Sequence, residues 1–225
     1  MLNDRFKAWR YVFFSLPIVA LIAFSINRNA VSSNIPTPAV DISKATANGK
    51  QTAIFAGGCF WGVEAVFEHV KGVSDVVSGY SGGDAKTANY YRVSSGQTGH
   101  AEAVQITYDP MQISYGQLLK IYFSVAHDPT QVNRQGPDRG PQYRSAIFVT
   151  NDEQRQVSVS YIAQLNQSKT FPKPIATQVG SLESFYAAEP EHQDFLARNP
   201  KYLYIVQHDL PKLEQLRKQF PELYQ

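Results

Sequence analysis

From Gln51 the pattern of apolar and polar positions changes period within a few residues. TAIFAGG over 52–58, apolar from Ala53 to Ala56 and stopped by Gly57 and Gly58, predicts a short buried strand ended by a tight turn. Beyond it Phe60, Val63, Val66, Phe67 and Val70 recur at helical spacing. The next segment is therefore predicted to be a helix with one core-facing stripe, closed by Lys71 and Gly72. Strand, turn and helix together place Cys59 at the helix N-terminus.

Further along, Val104, Ile106 and Tyr108 alternate with Ala103, Gln105 and Thr107, the period of a strand with one buried face. Ser114 and Gln117 have capping-box spacing ahead of a helical pattern, and Thr150 and Glu153 repeat it after a strand-like run over 143–150. Between these lies a loop over 127–142, rich in Pro, Gly and charge, and loops of this length in compact domains tend to carry function. Interleaved strands and helices predict one α/β (α+β) domain over 49–225, a size that supports a single core.

The N-terminus has a different pattern. Asp4, Arg5, Lys7 and Arg10 precede an uncharged apolar run over 11–26, intermediate in length between a signal-peptide core and a short spanning helix. Cations ahead of such a run keep the N-terminus cytoplasmic and send the rest of the chain across the membrane. Residues 1–26 are expected to be a signal peptide or membrane anchor, and the protein to lie in the cell envelope, periplasmic or otherwise extracytoplasmic, membrane-anchored or secreted. Residues 27–48 are polar with Pro and Ser and read as a flexible linker.

Composition narrows the function classes. The 225 residues are 43% hydrophobic and 12% aromatic, enough for a sizeable core. A net charge of +2 without a long basic run argues against nucleic acid as a partner. His69, His100, His127, His192 and His208 lack zinc-ligand spacing, and the Glu189-to-His192 motif lacks the second copy of a di-iron site. No nucleotide-binding glycine motif occurs, so no bound metal or nucleotide is expected. A single cysteine leaves Cys59 as a buried structural thiol, a reactive one, or an intermolecular link.

Placement favours chemistry. A thiol at a helix N-terminus faces unpaired N–H groups and the positive end of the dipole, so a lowered pKa is expected. Trp61 points well away from the core stripe, as a wall suited to a small apolar group such as a methyl or as cover for a neighbouring loop. Phe60 lies on the stripe itself. Glu102 shares a strand face with Val104, Ile106 and Tyr108, an apolar neighbourhood that raises a carboxyl pKa. It is either a protonated general acid or a strand-end glutamate reaching water.

Four stretches resemble the peptide methionine sulfoxide reductases of the A type: GCFWG at 58–62, GQTGHAEAVQITYDP at 96–110, HDPTQVNRQGPDRGPQYRS at 127–145 and FYAAEPEHQDFLARNP at 185–200. The resemblance implies a ferredoxin-like two-layer sandwich with a mixed sheet carrying the site at one edge. It implies reduction of the S epimer of methionine sulfoxide, free or in proteins, and so the repair of oxidised proteins. Residue by residue, it implies that Cys59 attacks the sulfoxide sulfur and that Phe60 and Trp61 wall the pocket for the S-methyl group. Glu102 then protonates the sulfoxide oxygen, Tyr90 and Tyr143 help hold that oxygen, and Asp138 is a loop acid near the site. Tyr90 is preferred to Tyr91 by its distance to Ser94-Ser95-Gly96. Many members resolve the resulting sulfenic acid with further cysteines in a C-terminal tail, and 202–225 contains none. The resemblance thus implies a monomer with no bound cofactor, regenerated by an external thiol reductant, thioredoxin-like or another dithiol.

Two other readings of the residues stay open. A papain-like Cys-His hydrolase would need a histidine held near Cys59. A noncatalytic envelope module would bind thioether side chains in an aromatic pocket.

Overall fold

The predicted strand and helix form as β1, Gln51–Gly57, and α1, Phe60–Glu68, in the computed structural model, which describes residues 35–42 and 49–225. Phe60, Val63, Val66, Phe67 and Val70 are all buried. The helix ends at Glu68, ahead of Lys71 and Gly72, because Val70 leaves it to pair with Tyr224. Gly72, at positive φ, then turns the chain into β2, Val73–Ser81. The chain continues through α2, Tyr90–Val93, β3, Ala101–Tyr108, and α3, Tyr115–Ile121, which runs into a π-helical turn, Tyr122–Ala126. The long polar loop is organised by a short hairpin of β4, Arg134–Gln135, and β5, Asp138–Arg139, followed by a 3-10 turn, Pro141–Tyr143. After it come β6, Ser145–Val149, α4, Asp152–Gln167, β7, Gln178–Ser181, β8, Phe185–Ala187, α5, Phe195–Arg198, and α6, Leu210–Gln219.

One six-stranded sheet has the order β7-β6-β1-β3-β2-β8. Only β6 and β7 run parallel, so the sheet is mixed. Its inner four strands, β6-β1-β3-β2, with α1 after β1 and α3 after β3, have the ferredoxin-like arrangement. Strand alternation separates two faces. Phe55, Val104, Ile106 and Tyr108 join the helix-side core, and Ile54, Ala56, Ala101, Ala103 and Phe148 form a smaller cluster on the other side. Phe55 packs against Tyr122 and Phe67 at ring distances of 4.8 and 5.7 Å, and the buried Tyr122 hydroxyl donates to the Ala56 carbonyl at 2.7 Å.

Of the two expected capping boxes, one forms and one shifts. The Ser114–Gln117 capping box forms. At α4 the cap is Asn151 instead of Thr150, because the buried Gln154 side chain bridges the Thr150 N–H and the Thr52 carbonyl and so fixes the helix start one residue later.

Residues 35–42 depart from the flexible linker expected over 27–48. Ile35 is buried in the main core, Tyr161 donates to the Pro36 carbonyl at 2.7 Å, and Gln164 bonds Thr37 and Ala39. Asp41 accepts from the Ser114 hydroxyl at 2.5 Å and the Gly116 N–H at 2.8 Å. A carboxylate at the start of α3 and a buried isoleucine dock this polar stretch on the domain. The expected leader over 1–26, with residues 27–34 and 43–48, lies outside the described residues.

Candidate active site

Strand register assembles the site. β1 pairs Phe55 with Val104 of β3 and Gly57 with Ser145 of β6, while β2 sets Tyr80 opposite Glu102. Cys59 comes just after a central strand, so the site lies at the strand ends in the middle of the sheet and not at its lateral edge. Gly57 and Gly58 let the turn pass beneath the 127–142 loop. A Cβ on Gly57 would stand 3.1 Å from the His127 ring, and one on Gly58, whose φ is +93°, would stand 2.5 Å from Gln135.

Cys59 is the N-cap residue of α1, and the next amide, Phe60 N–H, donates to Glu102 Oε2 at 3.1 Å. As strand alternation implies, Glu102 points into the helix-side core and is 2% exposed. Burial pushes its carboxyl up to about 8, against the opposing pull of the Phe60 N–H. At neutral pH it is protonated.

The Cys59 thiol departs from expectation. Burial first, then the negative charges of Glu102, once it ionises, and of Asp209, push it well above its ordinary value. The helix N-terminus does not reverse this. The Trp61 amide points toward the sulfur without closing a capping hydrogen bond, and with the Lys212 ammonium it offsets only part of the burial. Cys59 keeps partial access to solvent. The resting pair is thus a thiol beside a neutral carboxyl.

Aromatic groups gather around the first turn of α1. Trp61 stacks on Phe195 at 3.7 Å with rings 7° from parallel, and its indole N–H donates to His192 Nδ1 at 3.3 Å. Phe60 is buried between Tyr80 and His192. Tyr90 lies 4.2 Å from the His192 ring and donates its N–H to Glu189 Oε1, while Glu189 Oε2 accepts from the Tyr80 hydroxyl. Tyr91, by contrast, is 88% exposed.

Burial, followed by the charge of Glu102, pushes the Tyr90 and Tyr143 hydroxyls up, so both remain proton donors. The hairpin presents Asp138, which accepts from the Tyr204 hydroxyl. Burial raises the Asp138 carboxyl, with the Tyr204 bond opposing. The residues named from sequence therefore converge, with Cys59 acting on both tyrosines through space and Asp138 on Glu102.

Glu189, His192, Phe195 and Tyr204 join them in the structure without having been singled out as site residues by sequence. The Glu189-to-His192 spacing is visible there but suggests only a metal motif, whereas these side chains position Tyr80, Tyr90 and Trp61. His127 faces the Tyr122 carbonyl through Nδ1 and Ser145 Oγ through Nε2, and burial drives its pKa down to about 3. Held in this way it cannot serve as the base that a Cys-His hydrolase requires.

The sequence profile of the family described as peptide methionine sulfoxide reductase matches residues 51–224. Peptide methionine sulfoxide reductase MsrA 2 of Synechocystis sp. is 59% identical over 193 residues, 85% of this chain and 90% of that protein. The protein of the same name from Mesorhizobium japonicum is 60% identical over 178 residues, 79% and 91% of the two chains. Among solved structures, methionine sulfoxide reductase A of Corynebacterium diphtheriae aligns with a TM-score of 0.60 at 34% identity, covering 74% of this chain and 83% of that one. Reduced Mxr1 from Saccharomyces cerevisiae aligns with a TM-score of 0.63 at 32% identity, covering 68% and 88%. With its profile match, close relatives and fold in agreement, the chain belongs to the A-type peptide methionine sulfoxide reductases, oxidoreductases acting on peptide-methionine (S)-S-oxide.

Proposed function

We propose that Cys59 attacks the sulfoxide sulfur of methionine (S)-sulfoxide while Glu102 protonates its oxygen. The 3.1 Å bond from the Phe60 N–H to Glu102 Oε2 supports this most directly, because it ties a protonated acid to the residue beside the thiol. A sulfoxide sulfur becomes electrophilic as its oxygen is neutralised, so nucleophile and acid must act together. Glu102 gives its proton to the oxygen and is restored by the proton of the Cys59 thiol. The sulfur–oxygen bond of the substrate breaks, and the oxygen ends on Cys59 as a sulfenic acid. The methionine sulfur gains two electrons and Cys59 loses two. Phe60 and Trp61 enclose the methyl group, Tyr90 and Tyr143 donate to the oxygen, and Asp138, held by Tyr204, borders the site.

Cys59 is the only cysteine in the 225 residues, which favours regeneration by an external donor. One donor thiol displaces water from the sulfenic acid to give a mixed disulfide, and a second releases Cys59 as a thiol. The donor is thioredoxin-like or another dithiol, the enzyme is a monomer without a bound cofactor, and its substrates are oxidised proteins and free methionine sulfoxide. Arg5, Lys7 and Arg10 ahead of the apolar run favour an extracytoplasmic domain, anchored or secreted, and the donor must then be supplied on that side.

Mass spectrometry tests the scheme. Mixed with excess sulfoxide peptide and no reductant, the protein should form one thioether per chain and gain about 16 Da on Cys59. Repeated turnover without reductant, or oxygen on another residue, would refute it.

A further inference from the structure

Lys212 and Asp209 lie against the first turn of α1, which Cys59 caps, but have no part in the chemistry above. Asp209 closes a π-helical turn, Ile205–Asp209, and Lys212 lies in the first turn of α6. Lys212 Nζ is 3.1 Å from Asp209 Oδ1, with the two side chains 18% and 0% exposed. The pair sits against the first turn of α1, over Gly62, three residues beyond Cys59. A Cβ on Gly62 would stand 2.6 Å from both Asp209 Cγ and Lys212 Nζ, so the buried pair packs against this turn because residue 62 has no side chain. Asp209 Oδ2 is buried without a hydrogen-bond partner among the described residues. A pair left in this state is a poor stabiliser of a fold.

Among the described residues, the other titratable groups facing Cys59 are Glu102 from β3, Tyr90 from α2, Tyr143 from the 3-10 turn, and Tyr204 ahead of the π-helical turn. None of these is a cation. Asp209 opposes the ionised sulfur more strongly than Lys212 favours it.

We propose that the Asp209–Lys212 pair is a positioning device for the reaction: across the first turn of α1, Asp209 holds the resting Cys59 sulfur as a thiol, and Lys212 offsets part of that charge so that the sulfur can ionise as it attacks. This rests on Cys59 being the nucleophile. It also assigns the C-terminal segment, which carries no cysteine here, an electrostatic part in the reaction.

Alkylation of Cys59 in the full chain by iodoacetamide, monitored by mass across neutral to alkaline pH, tests the device. Lys212→Met leaves Asp209 alone beside the sulfur, and the midpoint of the profile should rise by about one pH unit, a roughly tenfold slower alkylation below it. Asp209→Asn should move the midpoint the other way, and Lys212→Arg should keep it near that of the unaltered protein. A loss of packing would not shift the two residues in opposite directions. Should Lys212→Met fail to fold, the Asp209→Asn and Lys212→Arg profiles still decide. A midpoint unmoved in Asp209→Asn, or midpoints moving the same way in both single variants, would overturn the proposal. Cys59→Ser separates the two levels. Sulfoxide reduction surviving in Cys59→Ser would remove the nucleophile itself, whereas an inactive Cys59→Ser with unshifted midpoints would remove only the role of the pair.

Discussion

The Phe60 N–H donates to Glu102 Oε2 at 3.1 Å, joining the first residue of α1 to the second residue of β3. Burial keeps the same carboxyl protonated at neutral pH. One side chain thus braces the helix that carries Cys59 and holds the proton that the sulfoxide oxygen needs.

Glu102→Gln separates these two duties. The amide oxygen can still accept from the Phe60 N–H, but no acidic proton remains. Substrate binding should persist while sulfenic acid formation slows by about 10²-fold or more, the usual contribution of a general acid. Single-turnover rates with a chiral sulfoxide peptide measure this, and an unchanged rate would leave Glu102 only its bracing role.

Much of this site was legible in sequence because its geometry is local. The spacing of Phe60, Val63 and Phe67 orients α1, and the alternation of Glu102 with Val104 and Ile106 turns the carboxyl inward, each within a few residues. The state of the Cys59 thiol was not legible. It is set by burial and by Glu102 and Asp209, which the chain brings back from far along its length, and these outweigh the helix terminus. The docking of 35–42 was hidden for the same reason, since Asp41 meets Ser114 across 73 positions. Phe195, Tyr204 and Lys212 belong to a segment without a strong period, whose contacts arise only from tertiary packing.

Stability should fall as pH rises through the neutral range. On α1, burial pushes the buried Glu64 up to about 7, and burial with the charges of Glu64 and Asp194 pushes Glu68 up to about 8. Both folded values lie above the ordinary 4.5, so their contribution is complete below that value and is lost as pH climbs through 7 to 8. His127, held down to about 3, acts oppositely below its ordinary 6.5. Comparison with a variant therefore isolates the carboxyls. In Glu64→Gln the decline in Tm from about pH 5 to about pH 8.5 should be shallower than in the unaltered protein, and parallel declines would exclude Glu64 as a source.

Trp61 owes its position to Phe195, stacked on it at 3.7 Å, and to His192, which accepts its N–H. Such a stack is worth about 0.5–1.5 kcal/mol. Phe195→Ala should loosen the methyl wall and raise KM by about 2- to 10-fold, with a smaller change in kcat because Cys59 and Glu102 are untouched. Steady-state kinetics with a small dithiol as reductant would show it, and a fall in kcat at constant KM would place Phe195 in another role.

The docked segment at 35–42 should add stability without touching the chemistry. Asp41 caps the start of α3 through the Ser114 hydroxyl and the Gly116 N–H, and Gly116 admits it because a Cβ there would stand 2.5 Å from the carboxylate. Asp41→Ala removes both bonds and a negative charge from a helix N-terminus, a loss of about 1–2 kcal/mol. For a domain of this size that lowers Tm by about 2–8 °C. Asp41→Asn keeps one acceptor, which can still take the Gly116 N–H, but loses the second oxygen that accepts from Ser114, so it should recover only part of the loss. Because α3 does not carry Cys59 or Glu102, the single-turnover rate of Asp41→Ala below its Tm should equal that of the unaltered protein. An unchanged Tm would mean that Ile35, Tyr161 and Gln164 hold the segment without help from Asp41.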